Sequence, residues 1–109
     1  MDENTALVAF GALSNATRLK IVRLLVEAGP DGLPAGDVAK AAGASPSRAS
    51  FHLAGLANAG LVTADRQART IFYRVSFEQL GALMAFVLND CCKGHPIVQA
   101  CCGQATASC

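Results

Sequence analysis

The stretch AAGASPSRASFHLAGLANAG, residues 41–60, contains the signals of a short motif built from two helices and a tight turn. Ser45-Pro46 is typical of a helix start, with serine as the N-cap and proline at the first helical position. We expect this helix to run to about Asn58, with Gly60 as its C-cap. An alanine-rich helix over residues 35–42 precedes it. Two helices joined in this way predict a helix-turn-helix motif.

The residues on either side of this motif complete the predicted fold. Val, Ile, Thr, Phe and Tyr are frequent over 61–66 and 70–75, so both segments are predicted as strands of a β-hairpin. Helices are expected over 5–13 and 16–28, and a last helix begins at Ser76. Its apolar stripe has helical spacing (Leu80, Leu83, Met84, Val87 and Leu88). This order predicts a mainly α domain with a small β-hairpin, a winged helix-turn-helix with additional N- and C-terminal dimerisation helices.

The composition is that of one folded domain. The chain has 109 residues, of which 52% are hydrophobic and 16% charged, and this excludes a largely disordered protein. The net charge is only +1, yet residues 45–74 carry four arginines against a single aspartate. Arginine is suited to phosphates and to base edges. No window holds the roughly 20 apolar residues of a membrane helix, and the acidic start is unlike a signal peptide, so we expect a cytoplasmic protein.

All five cysteines lie in the last nineteen residues, at Cys91, Cys92, Cys101, Cys102 and Cys109. Residues 1–90 contain none, so disulfides do not hold the fold together. Reduced thiols clustered in this way indicate a site for a soft metal or for redox chemistry. We therefore divide the chain into a folded domain, residues 1–90, and a cysteine-rich segment and tail, residues 91–109. Gly94 and Pro96 are expected to prevent a regular helix through that segment, and Cys109 is expected to be a bystander.

Several stretches resemble the ArsR/SmtB family of winged helix-turn-helix repressors. Residues 13–21 (LSNATRLKI) resemble the start of the family's second helix. Residues 50–53 (SFHL) and 58–62 (NAGLV) resemble the family's recognition helix and the exit from it into the wing. Residues 66–69 (RQAR) and 71–74 (IFYR) resemble the family's wing. Finally, NDCC at residues 89–92 resembles the end of the last helix in an arsenic-responsive subset.

The resemblance implies a transcriptional repressor that binds double-stranded operator DNA as a homodimer and is released by trivalent arsenic. The recognition helix would enter the major groove, and the wing would follow the DNA backbone. The side chains then expected to meet DNA are Ser47, Arg48, Ser50 and His52 on the helix and Arg66, Gln67 and Arg69 on the wing. An alternative for His52 is a hydrogen-bonded place in the core. For Phe51, packing beneath the wing and contact with a thymine methyl group both remain open.

One departure from the best-known arsenic repressors moves the expected inducer site. Residues 33–38 hold no Cys-x-Cys pair before the recognition helix, so the site is expected in the C-terminal segment. Its candidate ligands are Cys91, Cys92, Cys101 and Cys102. Arsenite takes three thiolates in a pyramid, so Cys91 and Cys92 would be joined by either Cys101 or Cys102. Antimonite fits the same site, methylarsenite needs only two thiolates, and no organic cofactor is expected.

Two other functions fit parts of the sequence. A thiol redox or persulfide-sensing repressor would keep the DNA-binding elements and pair the cysteines by oxidation. A thiol-rich metalloid carrier without DNA binding would need only the cysteines, and the arginine-tipped hairpin argues against it. We expect no enzymatic activity, because only His95 lies near a cysteine and no carboxylate pair lines an evident cleft.

Overall fold

The computed structural model describes residues 1–103, so Cys109 lies outside the described part of the chain. In chain order the elements are α1 (Glu3–Leu13), α2 (Ala16–Ala28), a 3-10 turn (Gly29–Asp31), β1 (Leu33–Pro34), α3 (Ala35–Ala42), α4 (Pro46–Asn58), β2 (Val62–Gln67), β3 (Thr70–Val75), α5 (Phe77–Ala85), a π-helical turn (Phe86–Cys91) and α6 (Pro96–Gly103). The prediction of a mainly α fold with a small hairpin is confirmed. Over these residues no helix has the length and apolar composition needed to cross a membrane.

Short local signals fix where α4 and α5 begin and where α4 ends. The Ser45 hydroxyl accepts a hydrogen bond from the Arg48 backbone N–H at 3.3 Å, and the Ser76 hydroxyl accepts one from the Gln79 N–H at 3.2 Å. Each bond satisfies a backbone donor left open in the first helical turn and is worth about 1 kcal/mol. At the other end of α4, Gly60 adopts a φ of 77°, which favours glycine. Both predicted starts and the end at Asn58 are confirmed, but the C-cap residue is Ala59, and Gly60 follows it.

The sheet has three antiparallel strands in the order β1-β3-β2. β2 and β3 form the predicted hairpin and pair along their full length. β1 is not predictable from the sequence, because two residues that include a proline carry no strand pattern. Just before β1, Gly32 has a φ of 71° and lies so close to the Tyr73 backbone carbonyl that any Cβ would overlap it. A glycine is therefore required for β1 to reach the sheet.

The core lies between the helices and one face of the sheet. Its largest fully buried side chains are aliphatic (Ile21, Leu25, Val38, Leu53, Leu56, Leu61 and Leu83). The fully buried residues of α1 are three alanines, Ala6, Ala9 and Ala12, and the half-buried Leu13 at its end packs against the same core. Three larger apolar side chains of α1 (Leu7, Val8 and Phe10) are exposed instead, with Leu7 61% exposed. The burial pattern of α1 is therefore the reverse of what a single chain in water would favour.

The cysteine-rich segment is more helical than expected. The chain does break after the π-helical turn, where Lys93 and Gly94 adopt φ angles of 55° and 68°. However, Pro96 starts α6, and Cys101 and Cys102 lie within that helix. The expectation that Pro96 prevents a regular helix is wrong, because a proline in the first helical turn lacks only an N–H that would have no partner there.

The core assignment predicts unequal losses for two leucine truncations. We expect Leu53→Ala to lower the free energy of unfolding by about 2–5 kcal/mol, because the fully buried side chain leaves a cavity. Leu19→Ala on α2, at a half-exposed position, is the matched control and is expected to cost about 1 kcal/mol or less. Urea denaturation at one protein concentration measures both. Equal losses would contradict the assignment.

Candidate DNA-contacting face and thiol cluster

The outward face of α4 presents three of the four helix residues expected to meet DNA. Ser47, Arg48 and Ser50 are exposed. The Ser47 hydroxyl lies 3.4 Å from the capping hydroxyl of Ser45, so the first turn of α4 carries a small polar patch. Their positions agree with the sequence analysis, and their contact with DNA stays a prediction.

His52 does not share that face, and the expectation that it points outward is wrong. Its side chain is only 7% exposed, and Nδ1 accepts a hydrogen bond from Arg18 Nε at 3.1 Å. The reason is helical phase, because residue 52 follows the buried Ala49 by three positions and precedes the buried Leu56 by four. The alternative interpretation as a hydrogen-bonded core residue is the one that agrees with the structure.

Arg18 is a residue that the sequence analysis does not single out. Its guanidinium carbon lies 5.6 Å from the centroid of the Phe51 ring, in addition to the bond with His52. The side chain also crosses α4 over Gly55, where an added Cβ would lie 2.6 Å from the guanidinium carbon. We call these four residues the Arg18 cluster. It joins α2 to α4, and its only sequence signal is the resemblance of residues 13–21 to the family's second helix.

The cluster also sets the ionisation of His52. Burial lowers the pKa of His52 below its ordinary value of 6.5, and the positive charges of Arg18 and Arg48 lower the pKa further. A neutral imidazole is what the bond requires, because Nδ1 must be unprotonated to accept from Arg18. The folded state therefore keeps this histidine neutral.

The arginines of the wing fall into two groups, one paired with a carboxylate and the others exposed at the tip. Arg74 forms a salt bridge with Asp65 at 3.0 Å, and the Gln67 side-chain amide donates to the same carboxylate at 3.2 Å. Arg66 and Arg69 are exposed near the turn, where Ala68 adopts a φ of 56°. The positive charge offered to a partner thus comes from the tip of the hairpin rather than from its base.

The three thiols of the second candidate site lie at the end of the π-helical turn and in α6. Cys91, Cys92 and Cys102 are free cysteines, and Cys92 is the least exposed of them. Burial raises the pKa of the Cys92 thiol, and the neighbouring Cys91 and Cys102 sulfurs add to the rise. These sulfurs are therefore near enough to influence one another. We call the three residues the thiol cluster.

The thiol cluster is not an assembled metal site. Among residues 1–103, no three histidine, cysteine, aspartate or glutamate side chains are grouped as an ion would require. His95, the nearest imidazole in the sequence, accepts a hydrogen bond at Nδ1 from the Ile97 N–H at 3.2 Å and so caps α6. Cys101 lies in the same helix and is half-buried.

The neutral His52 predicts a pH dependence of stability. The unfolded chain binds a proton on His52 at a higher pH than the folded chain does. The contribution of His52 is therefore complete above pH 6.5 and is lost as the pH falls below it. Below that pH we expect the free energy of unfolding of the wild type to fall more steeply than that of His52→Asn. The amide oxygen of this variant still accepts from Arg18 but does not titrate. Urea titrations across this range test the difference, and parallel curves would contradict it.

Known proteins share both the sequence pattern and the architecture. Residues 13–64 match a family described as a helix-turn-helix domain. The HTH-type transcriptional regulator YgaV of Escherichia coli K12 is 35% identical over 81 residues, which cover 74% of this chain and 80% of that protein.

Solved structures extend the likeness to the wing and the flanking helices. A homodimeric winged helix-turn-helix DNA-binding domain from Mycobacterium bovis, described as a possible ArsR-family regulator, matches with a TM-score of 0.65 at 29% identity and covers 84% of this chain and 85% of its own. A possible transcriptional regulator for arsenical resistance matches with a TM-score of 0.62 at 32% identity, covering 70% and 76%. The order of the helices, the wing and these likenesses agree, and the chain belongs to the ArsR family of winged helix-turn-helix transcriptional regulators.

Proposed function

We propose that the protein is a metalloid-responsive repressor that binds operator DNA as a homodimer and is released when trivalent arsenic or antimony binds its C-terminal thiolates. The observation that carries this proposal is the position of the thiol cluster. Cys91 and Cys92 lie at the end of the π-helical turn that follows α5, and Cys102 lies in α6, in a chain whose first ninety residues contain no cysteine. A ligand that joins them acts on the end of α5.

Operator binding would use α4 and the wing together. In this fold the second motif helix enters the major groove and the wing follows the backbone. Ser47, Arg48 and Ser50 are exposed on α4 and would reach base edges or phosphates. Arg66 and Arg69 at the tip of the wing would contact phosphates, with Gln67 between them.

The proposed homodimer follows from the apolar faces that one chain leaves open. α1 places alanines in the core and exposes Leu7, Val8 and Phe10. α5 exposes Met84 on the predicted stripe. Covering both surfaces with a second copy would remove this apolar area from water and stabilise the pair. The homodimer described for the Mycobacterium bovis domain supports the same assembly.

For the inducer we favour Cys91, Cys92 and Cys102 as ligands over the set that includes Cys101. Cys102 is a free, exposed cysteine, and its charge contributes to the raised pKa of Cys92. Arsenous acid would bind by exchanging its three hydroxyl groups for three thiolates, with each thiol proton leaving in a water molecule. Antimonite would bind in the same way. A monomethylated arsenical would need only Cys91 and Cys92 or one of these with Cys102.

The link from inducer to DNA would run through α5. Because the thiols are not gathered as three ligands, binding must draw α6 towards the end of the π-helical turn. That movement pulls on the helix that exposes Met84 to the proposed partner. A dimer with altered helix packing holds its two α4 helices at another separation, which lowers affinity for two fixed half-sites.

Oxidation of the same thiols is the second candidate signal, because Cys92 and Cys102 are close enough to interact. A bridge between them would release two electrons to an oxidant such as peroxide. The raised pKa of Cys92 does not separate the two signals, since the thiolate is the species that both oxidants and metalloids react with. A carrier without DNA binding disagrees with the family to which the chain belongs.

The metalloid proposal predicts arsenite-dependent release from DNA. Under reducing conditions we expect arsenite to weaken operator binding of the wild type by about 5- to 150-fold, the usual range of a coupling free energy. Cys91→Ser and Cys102→Ser are each expected to abolish the response without changing binding in the absence of arsenite. Fluorescence anisotropy with labelled operator measures both.

Cys109→Ser serves as the matched control and is expected to respond like the wild type. Parallel titrations with peroxide separate the two signals. Release by peroxide and not by arsenite would overturn the metalloid proposal, and a full arsenite response in Cys91→Ser would remove the assigned ligands.

The wing assignment predicts a change in salt dependence. Each phosphate contact contributes about 0.9 to the slope of log affinity against log salt concentration. We expect Arg69→Ala to reduce that slope by about 1.8 in a dimer, which loses one contact from each copy. Arg69→Lys keeps the charge and is expected to keep the slope. An unchanged slope in Arg69→Ala would place this side chain away from DNA.

A further inference from the structure

Phe51 is the one bulky apolar side chain that α4 leaves in solvent. It is 66% exposed, whereas Leu53 and Leu56 of the same helix are fully buried. Its exposed neighbours one turn before it are Ser47 and Arg48, and the exposed neighbour one turn after it is Ala54. The exposed fraction is incompatible with packing beneath the wing. An aromatic ring therefore projects from the middle of the face that would enter the major groove.

The ring is held in place from its inner side. The Arg18 guanidinium carbon lies 5.6 Å from the ring centroid, and the edge of the His52 ring meets it at a centroid distance of 5.4 Å and an angle of 68°. Arg18 is itself oriented by its bond to His52, and it fits over α4 because Gly55 has no side chain there. Cation–π and edge-to-face contacts of this kind stabilise one placement of the ring. Its outer side remains free for contact.

The chemistry of the major groove limits what such a ring can recognise. The edges of the bases offer hydrogen-bond donors and acceptors and one apolar group, the 5-methyl of thymine. A phenyl ring has no hydrogen-bonding group to offer to the others. From this match we infer that Phe51 is a specificity-determining residue that reads one thymine in each operator half-site through its 5-methyl group, with the Ala54 methyl group beside it.

This inference rests on the proposed DNA binding and adds the base that is read. It also gives the Arg18 cluster a purpose at the DNA surface, because Arg18 and His52 act as positioning residues for the ring. Arg48 is the matched comparison on the same helix, since its exposed side chain is charged and offers hydrogen bonds rather than apolar contact.

The test removes the methyl group and nothing else. Operator DNA is selected from a random pool by the wild-type protein, and each thymine is then replaced in turn by deoxyuridine. We expect one position in each half-site at which the replacement weakens wild-type binding by about three- to fivefold, the value of one buried methyl group. In Phe51→Ala the same replacement is expected to have no effect. In Arg48→Ala the sensitivity to deoxyuridine is expected to remain.

Each other outcome overturns the inference in a distinguishable way. If the wild type selects no DNA, the proposed function fails and the inference fails with it. If the wild type binds an operator but no thymine position is sensitive, or if the sensitivity persists in Phe51→Ala, only the inference fails. If Phe51→Ala does not fold, Phe51→Leu takes its place. This variant keeps a smaller apolar side chain and is expected to be less sensitive to deoxyuridine than the wild type, and undiminished sensitivity would overturn the inference.

Discussion

The hydrogen bond from Arg18 Nε to His52 Nδ1 is the contact on which the placement of α4 and its outward side chains depends. It crosses from α2 to the inner face of α4, where the core contacts between the two helices come from aliphatic side chains that have no directional bond. A bond with a fixed length and direction adds an orientation to that packing. The outward residues of α4 then stand at defined angles to the sheet and its wing.

This bond also explains why polar and aromatic residues sit together on an otherwise simple helix. Gly55 leaves the space that the arginine needs, and Phe51 shields one side of the guanidinium. Taken singly, each residue looks replaceable. Together they form one unit in which the loss of Arg18 leaves the buried His52 without its hydrogen-bond partner.

Much of the fold can be predicted from the sequence because its signals are local. Ser45-Pro46, Ser76 and Gly60 mark helix ends through bonds made within a few residues. What escapes is set by contacts between distant segments. β1 exists only because β3 offers it an edge, and Arg18 acquires its role only when α2 packs on α4. His52 shows a different failure, since its chemistry suggested the surface while its helical phase already placed it inside.

The thiol segment was predicted in its place but not in its form. Clustered cysteines could be recognised from spacing alone, and the break at Lys93 and Gly94 agrees with the glycine signal. The distances among sulfur atoms depend on the direction that α6 takes after the break at Lys93 and Gly94, and no short sequence pattern predicts that direction. The same holds for the choice between Cys101 and Cys102, which depends on the phase of α6.

The π-helical turn between α5 and the cysteines has an evolutionary consequence. Such a turn accommodates one more residue than an α-helical turn, so it is equivalent to a single insertion in an otherwise regular helix. Residues before it keep their packing on the core, while residues after it are rotated by about 100°. The segment that follows can therefore change in length or sequence during evolution without repacking of the DNA-binding domain. Members of one fold can in this way carry different ligand-binding segments at the same point.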